Sequence, residues 1–95
     1  MANKREIKKD IDSLTFEVIS DCFTFGALHP GSHEDEITSI ISDAVILRND
    51  LMDRVNHCVK TEDPKAVKAH FNMIKKDLFT GIDRLFKRLS VLSEN

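Results

Sequence analysis

Apolar residues recur every three or four positions in the last third of the chain, which is the period of an amphipathic helix. Eight of them are spaced four, three, four, four, three, four and three residues apart, and at 3.6 residues per turn this keeps them on one side. They are Val67, Phe71, Ile74, Leu78, Ile82, Leu85, Leu89 and Leu92. The pattern predicts a helix over about residues 64–93.

Two earlier apolar stripes predict two more helices, over about residues 3–28 and 33–60. The first stripe consists of Ile7, Ile11, Leu14, Val18, Cys22 and Phe25. The second consists of Ile37, Ile40, Ile41, Ala44, Leu47, Leu51, Met52, Val55, Cys58 and Val59. Each predicted helix therefore has an apolar side that needs a neighbour.

Proline and glycine mark the first boundary, in the stretch LHPGS. Pro30 disfavours helical geometry at the residue before it. Ser32, followed three residues later by Asp35, resembles the capping box that opens a helix. We therefore expect the first helix to end before Pro30 and the second to begin after Ser32.

The second boundary has the strongest local signal in the chain. Asp63 is a good N-cap, and Pro64 suits the first position of a helix because its missing N–H is not needed there. Gly26 and Gly81 lie inside periodic segments. They predict a close approach of two helices, or a local weakness, rather than a helix end.

The elements predict an all-α fold, an up-down-up antiparallel three-helix bundle that spans residues 1–95 as one domain. Helices of this length run about 39 to 45 Å, and short turns force neighbouring helices to be antiparallel. A chain of 95 residues has room for a single core. The acidic second helix and the basic third helix have complementary flanks, which favours their pairing.

Charge and hydropathy restrict the partners. The net charge is −2, and Asp77 and Asp83 interrupt the basic row of the third helix, so no nucleic-acid partner is expected. The chain begins with charged residues and has no long apolar run. We therefore expect a cytoplasmic protein with no signal peptide and no membrane partner.

Candidate catalytic chemistry is weak. The sequence has no Gly-rich phosphate loop, no G-x-S-x-G and no H-E-x-x-H, so neither an enzyme nor a cofactor is expected. Cys22 and Cys58 are expected to be buried, reduced thiols. In the predicted bundle they lie about 25 Å apart, too far for a disulfide bond.

Histidines beside acidic residues suggest a different function, a metal- or small-ligand-binding helical protein. His29 and His33 flank the first turn, next to the acidic residues 34–36. A Pro-Gly turn separates these two histidines, so their spacing does not place them on one helix face, and they are weak metal candidates. Solvated loop positions are the favoured interpretation for both, and for His57 and His70.

Arg48 lies only about 40° from the centre of the second apolar stripe. Its guanidinium must therefore reach solvent along the helix or meet a carboxylate inside the bundle. Glu17 and Asp77 lie at about the same level of the predicted bundle. The sequence predicts a buried ion pair between Arg48 and one of them, with a structural role.

Four apolar residues of the first helix lie about 100° or more from the centre of its stripe. They are Phe16, Ile19, Phe23 and Ala27. Two interpretations remain open. Contact with two neighbouring helices would widen the buried arc and cover Phe23, or the row is a surface for a partner. We favour the second, a non-enzymatic protein–protein interaction module or subunit that binds a partner through this face, either a second copy in a homodimer or another protein.

Overall fold

The computed structural model describes residues 4–57 and 63–93. They form three α-helices, α1 (Lys4–Leu28), α2 (Glu34–Asn56) and α3 (Pro64–Ser93), and no strand occurs in this part of the chain. Every helix contacts both of the others, in a bundle of 53 × 19 × 18 Å. The predicted all-α three-helix bundle is confirmed. None of the helices in the described ranges is both long and apolar enough to cross a bilayer.

Contacts between α1 and α2 fix their antiparallel register. Asp12, near the beginning of α1, forms an ion pair with Arg48 in the second half of α2. Gly26, near the end of α1, lies beside Ile37 at the start of α2. Residue numbers therefore rise along one helix as they fall along the other.

Two ion pairs show the same antiparallel relation between α2 and α3. Arg88 Nη1 lies 2.6 Å from Asp43 Oδ2, and Arg54 Nη1 lies 2.8 Å from Asp77 Oδ2. The first pair joins a base of α3 to an acid of α2, as the charge pattern predicts, and the second has the opposite polarity. All four side chains are partly exposed, so each pair stabilises the fold by about 1 kcal/mol at most.

The core is built from the predicted apolar stripes. The apolar residues at its centre have almost no exposed surface. They include Ile7, Ile11, Val18, Cys22, Ile40, Ala44, Leu51, Val55, Ile74 and Leu78. The stripes do not predict Thr15, which is also buried. Its hydroxyl donates to the Ile11 carbonyl oxygen at 2.7 Å, so burial leaves no polar atom of Thr15 without a partner.

The start of α3 agrees with its local signal. The Lys65 backbone N–H donates to Asp63 Oδ1 at 3.0 Å, which is the expected N-cap bond, and Pro64 is the first helical residue. The end of α2 is earlier than predicted, at Asn56 rather than residue 60. Residues 58–62, which include Cys58, lie outside the described residues.

The capping box predicted at Ser32 is wrong. The N-cap of α2 is His33, which makes no side-chain capping bond and has a left-handed backbone with φ 58° and ψ 29°. Gly31 also has positive φ, at 78°. The Ser32 N–H donates to the His29 carbonyl oxygen at 3.1 Å. The chain reverses through two left-handed residues, and α2 therefore begins one residue later, at Glu34.

Candidate interaction surface

The outer edge of α1 is apolar and open to solvent. Phe16 is 69% exposed and Phe23 is 66% exposed, Ala27 is also exposed, and Ile19 is half-buried against the core. α1 directs its Ile7-to-Cys22 stripe at the other two helices, so a residue more than 100° away from that stripe is left outside. The wider arc that would cover Phe23 does not form.

α2 extends this apolar edge. The α1–α2 register brings Val45 to the level of Phe16 and Ile41 to the level of Ile19, on the flank of α2 that faces α1. Val45 is 40% exposed, and Ile41 is half-buried. We call the resulting surface the seam face. It consists of Phe16, Ile19, Phe23 and Ala27 of α1 and of Ile41 and Val45 of α2.

Two open grooves run along the seam face. One, of about 780 Å³, contains Phe16 and Ile19 and is lined at its outer end by Arg5, Lys8 and Lys9. The other, of about 530 Å³, lies at the opposite end of the bundle and is lined by Phe23, Ala27, Ile41 and Glu34, among others. The seam face is therefore apolar at its centre, basic at one end and acidic at the other.

The charges at these ends lack partners within the described residues. Arg5, Lys8 and Lys9 do not lie within ion-pair distance of any carboxylate of the described residues, and Glu34 does not lie within ion-pair distance of any base there. The charges at the helix–helix contacts, in contrast, are paired. The end charges are thus available to a partner.

The basic end of the seam face is not among the sites predicted from the sequence, although the sequence contains a signal for it. On a helical projection of α1, Arg5 and Lys9 lie within about 20° of Phe16. The exposed apolar row and the bases therefore continue one another along α1. The contribution of Val45 depends on the register between α1 and α2, which α1 alone does not reveal.

Other exposed apolar residues do not form a comparable surface. Ile46 lies on the side of α2 away from both neighbours, and Phe79 lies on α3 with 61% of its surface exposed. Leu28 lines a smaller groove, of about 380 Å³, with Phe25, Phe86 and Leu89. Met73 and Val91 are exposed at further separate places. Scattered apolar residues of this kind are normal on a soluble domain, whereas a contiguous row is not.

The buried ion pair predicted for Arg48 is wrong in its partner and its burial. Arg48 Nε donates to Asp12 Oδ1 at 2.7 Å, and the two side chains are 42% and 55% exposed. Glu17 lies on the flank of α1 that faces away from α2. Asp77 lies on α3, where it pairs with Arg54. The Arg48–Asp12 pair instead borders the basic groove of the seam face.

His29 and His33 both pack around Phe25, with ring centroids 4.5 Å and 6.3 Å from the phenyl ring. Within the described part of the chain, no three His, Cys, Asp or Glu side chains converge as metal ligands would. The acidic residues 34–36 point in three directions around α2, since consecutive helical residues diverge by about 100°. Among the described residues the acidic turn therefore does not gather a set of metal ligands, although His29 and Glu34 both line the groove of about 530 Å³.

The other two histidines differ from each other. His57 is exposed and bonds to Asp53 within its own helix turn. His70 is half-buried in α3, and its Nε2–H donates to the Arg54 carbonyl oxygen at 3.0 Å. The solvated loop position predicted for His70 is wrong, because this ring satisfies a backbone carbonyl in the last turn of α2.

Cys22 has no exposed surface and is not disulfide-bonded. Burial, with a smaller contribution from the charge of Asp21, raises the pKa of its thiol, although Arg88 acts in the opposite direction. A buried thiol with a raised pKa is a poor nucleophile. Cys22 therefore belongs to the core and adds no chemistry to the seam face.

No protein-family model, curated protein or solved structure matches this chain.

Proposed function

We propose that the protein is a non-enzymatic interaction module, acting in the cytoplasm, which forms a homodimer through the seam face. The observation that supports this most directly is the exposure of Phe16 and Phe23 on one continuous edge. Transfer of apolar surface from water is worth about 25 cal/mol per Å², and each phenylalanine carries a large apolar area. Covering the seam face with a partner therefore lowers the free energy of its apolar surface relative to exposure to water.

The position of these phenylalanines also supports a partner. Neither is needed to complete the core, which the stripes of the three helices already fill. Both border open grooves between α1 and α2. Aromatic side chains that stand beside a groove are typical anchors of protein interfaces, where a few of them supply most of the binding energy.

The test is the molecular mass in solution of four proteins, measured by sedimentation velocity over a series of concentrations. We expect the wild type to be a dimer. The variants Phe16→Glu and Phe23→Glu should each weaken the dimer by at least about 30-fold, because each buries an unpaired carboxylate in an apolar contact. Circular dichroism at 222 nm should remain unchanged, since both positions are exposed in the monomer.

Phe79→Glu is the matched control. Phe79 is a phenylalanine of similar exposure on α3, outside the seam face. Its replacement should leave the dimer intact. A monomeric wild type would refute self-association, and a dimer that responds to Phe79→Glu but not to Phe16→Glu would place the contact on a different surface.

A further inference from the structure

We propose that two copies join at the seam face in an antiparallel orientation, with the basic end of each copy against the acidic end of the other. This inference rests on the proposed function. It adds the symmetry of the dimer and the residues that set it. The two-fold axis runs perpendicular to α1 and passes near Ser20, midway between Phe16 and Phe23.

The order of charges along the face selects this orientation. Arg5, Lys8 and Lys9 lie before the apolar centre, and Glu34 lies beyond it. A parallel pair with its axis along the helices would place bases against bases and acids against acids. Like charges held opposite one another oppose association, whereas the antiparallel pair places the basic end of each copy, with Lys9, opposite Glu34 of the other.

The distances fit this arrangement. A two-fold axis near Ser20 brings Phe16 of one copy to the level of Phe23 of the other. It brings Lys9 to about the level that residue 30 occupies, and the register places Glu34 within one helical turn of that level. Because the dimer is symmetric, the contact between Lys9 and Glu34 occurs twice.

The size of the face requires its charged ends. The apolar centre from Phe16 to Ala27 is only about 17 Å long, and the bundle is 19 Å wide. A stable interface covers about 800 Å² on each partner, which is more than this centre offers. The whole length of α1, about 37 Å, comes close to the required area. The bases and acids therefore form the two ends of the contact, at its rim, rather than lying outside it.

Charge reversal tests the pairing. Lys9→Glu and Glu34→Lys should each weaken the dimer by about fivefold at low salt, and the double variant should recover to within about twofold of the wild type. High salt should reduce all these differences, because the pairs are near the rim. The affinity of the double variant recovers only if Lys9 of one copy faces Glu34 of the other. If the two losses of affinity simply add in the double variant, the antiparallel orientation is overturned.

Cross-linking tests the orientation by the distance between residues rather than by charge reversal. In a Cys58→Ser background, a short bismaleimide should link Cys at position 20 of one copy, introduced as Ser20→Cys, to the same position of the other copy. The reach of this reagent, about 10 Å, exceeds that of a disulfide. Lys9→Cys should not cross-link, since the two copies of residue 9 lie about 30 Å apart.

The possible outcomes separate this inference from the proposed function. Cross-linking of Ser20→Cys alone supports the antiparallel dimer. Cross-linking of Lys9→Cys overturns the orientation but leaves a dimer through the seam face. A dimer in which neither variant cross-links uses another surface, and a monomeric wild type overturns both proposals.

Discussion

Leu47 of α2 lies directly over Gly81 of α3. A Cβ added to Gly81 would lie 2.7 Å from Leu47 Cδ2 and 2.9 Å from Cδ1, closer than carbon atoms tolerate. Gly81 therefore allows a close approach of the two helices, which is one of the two roles its position in the sequence suggests. Gly26 differs, since a Cβ there would meet Ile37 at an ordinary 3.9 Å.

Gly81→Ala and Leu47→Ala should be strongly coupled. Inside a helix, alanine is about 1 kcal/mol more favourable than glycine. When Gly81→Ala is made with Leu47 still present, however, the Leu47 side chain must rotate away, and such crowding costs about 1 to 3 kcal/mol. We expect Gly81→Ala to be neutral or destabilising alone. In the Leu47→Ala background it should raise the free energy of unfolding by about 1 kcal/mol.

Urea unfolding, followed by circular dichroism because the chain has no Trp or Tyr, measures this coupling. All variants need the same protein concentration, since self-association also stabilises the fold. Gly26→Ala is the control and should not depend on Leu47. Additive effects of Gly81→Ala and Leu47→Ala, within about 0.5 kcal/mol, would show that the side chains do not compete for space.

His33→Gly should stabilise the protein. A left-handed backbone costs a residue with a Cβ about 1 to 2 kcal/mol, and His33 contributes no capping bond in return. Allowing for the greater freedom of glycine in the unfolded chain, we expect a gain of about 0.5 to 1 kcal/mol. The midpoint of urea unfolding should rise with an unchanged slope.

His29→Gly is the matched control for His33→Gly. Both histidines lie near Phe25, but His29 does not have a positive φ. Its replacement removes the closer ring contact and relieves no strain, so the free energy of unfolding should fall or stay the same. An equal gain at both positions would mean that the effect of His33→Gly does not come from the backbone.

Local signals in the sequence predicted the helices well. α3 begins at Pro64 as predicted, because the Asp63 carboxylate accepts a hydrogen bond from the Lys65 N–H within the first turn. The signal at Ser32 failed because the geometry of the first turn depends on more than local preference. There the chain folds back through left-handed residues so that α2 can meet α1.

The sequence indicated the four α1 residues of the seam face but not the two that α2 contributes. Helical projection alone places Phe16 outside the stripe of α1, and the structure leaves it exposed. Projection does not decide which flank of α1 faces which neighbour. For this reason it gave Arg48 the wrong partner and did not include Val45. Pairing between helices depends on their relative rotation and register, which no single helix encodes.

Arg48→Met should have a small effect on stability. The ion pair with Asp12 is about half exposed, so water and salt screen it. We expect a loss of less than about 1 kcal/mol in the free energy of unfolding at low salt. The loss should shrink further in 1 M NaCl, where the screening length is about 3 Å.

Arg54→Met provides the comparison for Arg48→Met. Arg54 is less exposed and pairs with Asp77, so its replacement should cost more. A loss of about 3 kcal/mol or more from Arg48→Met would be typical of a buried pair and would contradict the position of Arg48 at the surface.

The thiol of Cys22 should make the fold sensitive to alkaline pH. Burial raises its pKa above the ordinary value of 9.0, so the folded protein holds the thiol proton where the unfolded chain releases it. The stability that this contributes is complete below pH 9.0 and is lost as the pH rises toward the pKa of the folded state. The free energy of unfolding of the wild type should therefore fall as the pH rises above 9.0.

A Cys22→Ala variant isolates this effect, because both proteins retain Cys58 and all other titrating groups. The variant should be less stable at neutral pH, where it leaves a small cavity in the core. Its free energy of unfolding should then fall less steeply than that of the wild type at alkaline pH, so the difference between the two proteins narrows. Parallel pH profiles would mean that Cys22 titrates alike in the folded and unfolded chains, and hence that the thiol is not shielded between the helices.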